Sequence, residues 1–107
     1  MTELPVVFRP LAEDDLIGLY RYIAERSGPS VALGFVERLE RACLAMATFP
    51  ERGTRRDDIR TGLRTLGFER RVTVAFEVAA HEVVIVRLLY AGRDLDTVFD
   101  PPGPTAG

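Results

Sequence analysis

The chain is predicted to be a small α+β domain: a helix hairpin packed on one face of a small, mainly antiparallel sheet, in the order β-α-α-β-β-β. Three observations carry that expectation. Val72, Val74, Phe76 and Val78 alternate with Arg71, Thr73, Ala75 and Glu77, the period of a half-buried strand. The run VVIVRLLY over 83–90 is β-branched and almost continuously apolar, as in a central strand covered on both sides. Upstream, residues 12–47 carry two apolar stripes at helical spacing, joined by a link at 26–29 that is short enough to force an antiparallel pair.

In chain order, PVVFR at 5–9 is a β-prone edge segment, with Pro5 at its start where a missing N–H is tolerated. Helix one follows over 12–25. Its stripe is Leu16, Ile17, Leu19, Tyr20, Ile23 and Ala24, and Glu13, Asp14 and Asp15 sit in a first turn where negative charge favours the dipole. Gly28 and Pro29 stop it. Ser30 is the expected N-cap of helix two, which turns Ala32, Phe35, Val36, Leu39, Ala42, Cys43, Met46 and Ala47 to one side and ends at Pro50. The polar, Gly-containing stretch 51–61 reads as a loop. Three strands then fill 62–94, with tight connections before Val72 and at 79–82. Leu95, Val98 and Phe99 could add one terminal turn, and PPGPTAG at 101–107 has nothing to bury and is expected to be a disordered tail beyond a single domain over 1–100.

At 107 residues, 47% hydrophobic and 28% charged, the chain suits one core and no more. It has no stretch of the roughly 20 apolar residues that span a bilayer, and no signal-like N-terminus. The lone Cys43 cannot form an internal disulfide and reads as a core thiol, so a cytoplasmic setting is expected. Net charge is −2, against a generally basic nucleic-acid binder, but it is uneven: five Arg against seven acids over 1–50, seven against four over 51–71, and two against five over 72–107, or −2, +3 and −3. Every basic residue is Arg, which reads as codon bias more than as selection for phosphate contacts.

This order of elements, with the residues at its joints, resembles the ParE branch of the RelE/ParE superfamily of type II toxin-antitoxin toxins. The matching pieces are Asp14-Asp15-Leu16 with Tyr22-Ile23-Ala24, then Ala47-Thr48-Phe49-Pro50, Gly53, Arg56 to Asp58 and Gly62-Leu63-Arg64. They continue with Val74-Ala75-Phe76-Glu77-Val78 and close with Val86-Arg87-Leu88-Leu89-Tyr90-Ala91-Gly92-Arg93-Asp94. The resemblance implies a toxin held inactive by a cognate antitoxin whose C-terminal segment folds on binding. ParE-like members poison DNA gyrase by stabilising its cleaved-DNA complex; RelE-like members cut message in the ribosome. Fold alone does not choose between them.

Cutting RNA needs a base for the 2′-hydroxyl, an acid for the leaving oxygen and cations for the growing phosphorane charge. The chain has no Lys, and its one His, His81, lies in a strand connection. The usable set would be Arg64, Arg87, Tyr90 and Arg93. Tyr90 stands where many family members have His, and a phenol with an ordinary pKa near 10 is a poor base at neutral pH. Arg64 and Arg87 equally suit a polar layer with Glu77 or Asp94. The expectation is therefore a gyrase inhibitor without catalytic residues, cofactor or metal, gripping its target through Arg56, Arg60, Arg64, Arg87, Tyr90 and Arg93. The antitoxin is expected on Phe8, Tyr20, Tyr22, Arg71 and Thr73. A ribosome-dependent endoribonuclease is the alternative.

Overall fold

In the computed structural model, residues 3–93 together with Leu95 and Val98 are described. Strand β1 (Val6–Phe8) leads into helix α1 (Pro10–Ser27) and helix α2 (Pro29–Leu44), which tightens into a 3₁₀ turn at Ala45–Ala47. Four strands follow: β2 (Thr54–Arg55), β3 (Leu63–Phe68), β4 (Val72–Val78) and β5 (Val83–Tyr90). They form one five-stranded sheet in the order β1-β5-β4-β3-β2, parallel only where β1 meets β5. The expected architecture is thus present, with β1 at the sheet edge and β5 internal. The stretch read as a loop contributes a further short edge strand, β2, whose two residues pair with Thr65 and Arg64. The tail at 101–107 and Phe99 lie outside the described residues, while Leu95 and Val98 are helical.

The core forms between the helix pair and one sheet face. Ala12, Leu19 and Ile23 of α1 and Ala32, Phe35, Leu39 and Cys43 of α2 pack with Val72, Val74, Phe76, Val83, Ile85, Leu88 and Tyr90. Cys43 is fully buried, and desolvation pushes its thiol up to about 12, which leaves it inert as a nucleophile. Two expectations are corrected. Ile17 is half exposed, and its predicted place on the α1 stripe belongs to Asp15, which follows the i, i+4, i+8 line of Leu19 and Ile23 inward. Ser30 is not a cap: α2 starts at Pro29, and Gly28, at φ 93° and ψ 158°, serves as both the C-cap of α1 and the N-cap of α2. That backbone region is open essentially to glycine alone, so the hairpin turns on a single residue.

Strand β5 holds the irregularity that shapes the rest. Pairing with β4 shifts by one between Ala75↔Arg87 and Phe76↔Ile85, leaving Val86 as an extra residue. The bulge reverses the alternation, so that Val83 and Ile85 before it, and Leu88 and Tyr90 after it, all face the core. Arg87, opposite Ala75, is left off the helix-packed face.

Candidate functional site

Asp15 is buried, 4% exposed, and collects four donors. Arg87 gives it a fork, Nε to Oδ2 at 2.7 Å and Nη2 to Oδ1 at 3.0 Å, the Leu88 amide donates at 2.9 Å, and Arg93 Nη1 lies at 3.4 Å. β1 pairs with β5 only as far as Ile85, so beyond it the edge of β5 has no strand partner, and the α1 carboxylate takes the exposed amide. The pair holds the Arg87 guanidinium above its ordinary range, the side-chain hydrogen bond to Asp15 outweighing desolvation. Arg87 is thus ion-paired, but among the described residues the expected layer of Arg64 and Arg87 with Glu77 or Asp94 does not form: the acid is Asp15, and Arg64 instead bonds the Arg52 carbonyl. Glu77 is taken by Arg60, at 2.9 and 2.6 Å, and Asp94 lies outside the described residues.

Tyr90 is buried beneath α1. A Cβ on Gly18 would stand 2.5 Å from its hydroxyl oxygen, so that glycine makes room for the phenol. The Tyr90 ring lies 5.5 Å from Tyr22 at a 58° tilt, the Arg26 guanidinium covers Tyr22 at 3.7 Å, and Arg93 approaches the Tyr90 ring at 4.7 Å.

The residues expected to contact a target do not share one patch. Arg60 and Arg87 line a cleft of about 680 Å³ with Arg9, Pro10, Leu11, Glu77 and Val86. Arg64 borders a small separate hollow with Glu51, Arg55, Gly62 and Val78, and donates a long 3.4 Å bond to the Arg52 carbonyl. Arg56 forks onto Asp58 at 3.0 and 2.9 Å, which holds that carboxyl below its usual range. Tyr90 and Arg93 instead join Arg71 and Thr73, residues expected to contact the antitoxin, around a hollow of about 320 Å³ at the far end of the sheet. Phe8, Tyr20 and Tyr22 are half-buried against the core.

Two residues of consequence escaped the sequence reading. Asp15 enters the sequence reading as a dipole-favouring acid and as part of the Asp14-Asp15-Leu16 resemblance, with no partner assigned, although its spacing to Leu19 and Ile23 marks it as inward. Arg70 was not singled out. Only three residues separate β3 from β4, a length that demands a tight turn, and Glu69 and Arg70 adopt φ 50° and 59°, both left-handed as a type I′ hairpin requires. Among the described residues no group of His, Cys, Asp and Glu could hold a metal, and no helix is long and apolar enough to cross a membrane.

Residues 6–95 match the family model described as ParE toxin of type II toxin-antitoxin system, parDE. A curated relative, Toxin ParE3 of Caulobacter vibrioides, is 33% identical over 81 residues, covering 76% of this chain and 79% of the relative. A solved structure titled chromosomal ParDE TA system from P. aeruginosa superposes with a TM-score of 0.73, at 24% identity, over 83% of this chain and 97% of that one, and shares the fold.

Proposed function

The chain belongs to the ParE toxin family of type II toxin-antitoxin systems, and from that membership we propose that it acts in the cytoplasm by binding DNA gyrase and stabilising its cleaved-DNA complex, until a cognate antitoxin neutralises it. The choice of protein binding over message cleavage is supported by one observation, the commitment of Tyr90 and Arg87 to contacts within the chain. The Tyr90 hydroxyl faces Gly18 under a helix, and Arg87 spends its fork on Asp15. Neither is disposed to hand a proton to, or neutralise, a phosphorane in solution.

The antitoxin's C-terminal segment folds on binding, against the half-buried Phe8, Tyr20 and Tyr22, the turn residue Arg71 and the β4 residue Thr73. It also covers apolar side chains that the isolated chain leaves in water, among them Ile17 and Leu33, both 52% exposed. Such a segment can wrap a large area, and edge strand β1 offers it backbone groups as well.

The decisive experiment adds the purified chain to a gyrase supercoiling reaction and, in parallel, to ribosomes translating a labelled message. Loss of supercoiling with accumulation of cleaved DNA is expected. Codon-phased cuts in the message with supercoiling intact would overturn the proposal.

A further inference from the structure

Two left-handed turns lie side by side at one end of the sheet. In the first, Glu69 and Arg70 have positive φ and the Arg71 amide closes onto the Phe68 carbonyl at 3.0 Å. In the second, Ala91 and Gly92 have φ 56° and 79° and the Arg93 amide closes onto the Tyr90 carbonyl at 3.1 Å. Left-handed backbone is costly for residues other than Gly, and such strain persists only where surrounding contacts hold it. Glu69 is held: Arg38 of α2 forks onto its carboxylate at 2.9 and 3.0 Å, tying the turn to the helix. Arg70 has no such compensation. Its side chain is exposed and, among the described residues, has no hydrogen-bond or ion-pair partner.

The two turns bring three arginines to the border of one hollow. Arg70, Arg71 and Arg93 line it over a floor that includes Gly67, Thr73 and Leu89. Arg71 is exposed and adds, after Arg38, to the lowering of the Glu69 carboxyl, and Arg93 reaches Asp15 through one nitrogen at a long 3.4 Å. From this convergence we propose that Arg70, Arg71 and Arg93 form a binding site for a phosphate group, either free or carried in a nucleic-acid backbone.

A carboxylate is the weaker fit, by the protein's own practice. Each of Glu69, Asp58 and Glu77 is met by the Nε and Nη2 of one arginine, and the buried Asp15, forked by Arg87, takes a second arginine only at a long 3.4 Å. One planar fork satisfies one planar carboxylate. Arginines carried on two separate turns can each give donors to one target, and a tetrahedral group with oxygens on several sides uses that arrangement. Arginine contacts to a phosphate position a nucleic acid without reading its sequence, so no base specificity is expected of this site. With a net charge of −2 on the whole chain, the site is local and does not make the surface generally adhesive to nucleic acid.

The test is a ¹⁵N chemical-shift titration of the intact chain with inorganic phosphate, with acetate at matched ionic strength, and with a short DNA duplex. Phosphate is expected to move the amides of 67–73 and 89–93 while acetate leaves them in place. The variant Arg70→Ala/Arg71→Ala should weaken phosphate binding by about tenfold or more, the loss of one charge-assisted contact at least. A duplex that moves the same amides, and loses that effect in the double variant, assigns the site to a nucleic-acid backbone; phosphate acting without duplex assigns it to the free ion. Equal response to acetate, a response centred on the Arg9 and Arg60 cleft, or none in the tens of millimolar would overturn the proposal. None of these readings involves gyrase, so a failed supercoiling assay and a failed phosphate titration remain distinct results.

Discussion

Asp15 anchors the strand that bears the bulge. Asp15→Ala leaves Arg87 without its carboxylate and the Leu88 amide without an acceptor, and breaking such a pair by removing one partner is strongly destabilising. Arg87 retains some solvent contact, 19% of its side chain, which moderates the loss, and the expected cost is about 2–4 kcal/mol by urea denaturation. Asp15→Asn keeps an acceptor and should cost less. Equal stability of the alanine variant and the wild type would remove Asp15 from its assigned role. Gly18 makes a second residue-scale case. Alanine there would ordinarily gain about 1 kcal/mol of helix propensity, but its Cβ meets the Tyr90 hydroxyl, and overpacking costs typically 1–3 kcal/mol. Gly18→Ala should therefore lower stability, and adding Tyr90→Phe should restore most of it. Arg70 runs the other way: Arg70→Gly relieves left-handed strain and should stabilise by about 0.5–1 kcal/mol while removing a guanidinium from the phosphate site.

Among the elements, the helix hairpin and the turn between β3 and β4 depend on different chemistry. The hairpin depends on backbone freedom at Gly28, so Gly28→Ala should cost about 1–3 kcal/mol, whereas Ser30→Ala, with no cap bond to lose, should be close to neutral in thermal melts. The turn depends on charge. Arg38 holds the Glu69 carboxyl below its usual range, chiefly through the side-chain hydrogen bond. A carboxyl whose folded pKa is depressed contributes stability above the unfolded value, near pH 4, and loses it as pH falls through the lower folded value. Melting temperature should thus decline on the acid side of pH 4, and Arg38→Ala should make that decline shallower. The same elements show what a sequence can disclose. Alternation in β4 and the α2 stripe were legible because burial on one face writes a period into the residues. The bulge in β5 was not, because an unbroken apolar run carries no parity to interrupt, and so the side taken by Arg87 and Tyr90 was hidden. β2 was equally hidden, since two exposed residues on an edge bury nothing.

For the molecule as a whole, the question is why a chain with a complete core leaves so much apolar surface uncovered. Leu11, Ile17, Val31, Leu33, Leu44 and Phe49 are each more than half exposed, and all but Phe49 lie on the two helices. Single exposed apolar residues are normal in a monomer, and their replacement by polar ones usually changes stability by no more than about 0.5 kcal/mol. Under the proposed function there is a second constraint: an antitoxin segment that folds on binding must find area to bury, and exposed apolar side chains supply that area at little expense to the free chain. Ile17→Ser/Leu33→Ser should accordingly melt close to the wild type and still arrest growth, yet co-purify poorly with the antitoxin and resist rescue by it. Rescue as complete as for the wild type would mean that the antitoxin grips elsewhere, and the half-buried rings of Phe8, Tyr20 and Tyr22 would then have to carry the interface without the helices' outer side.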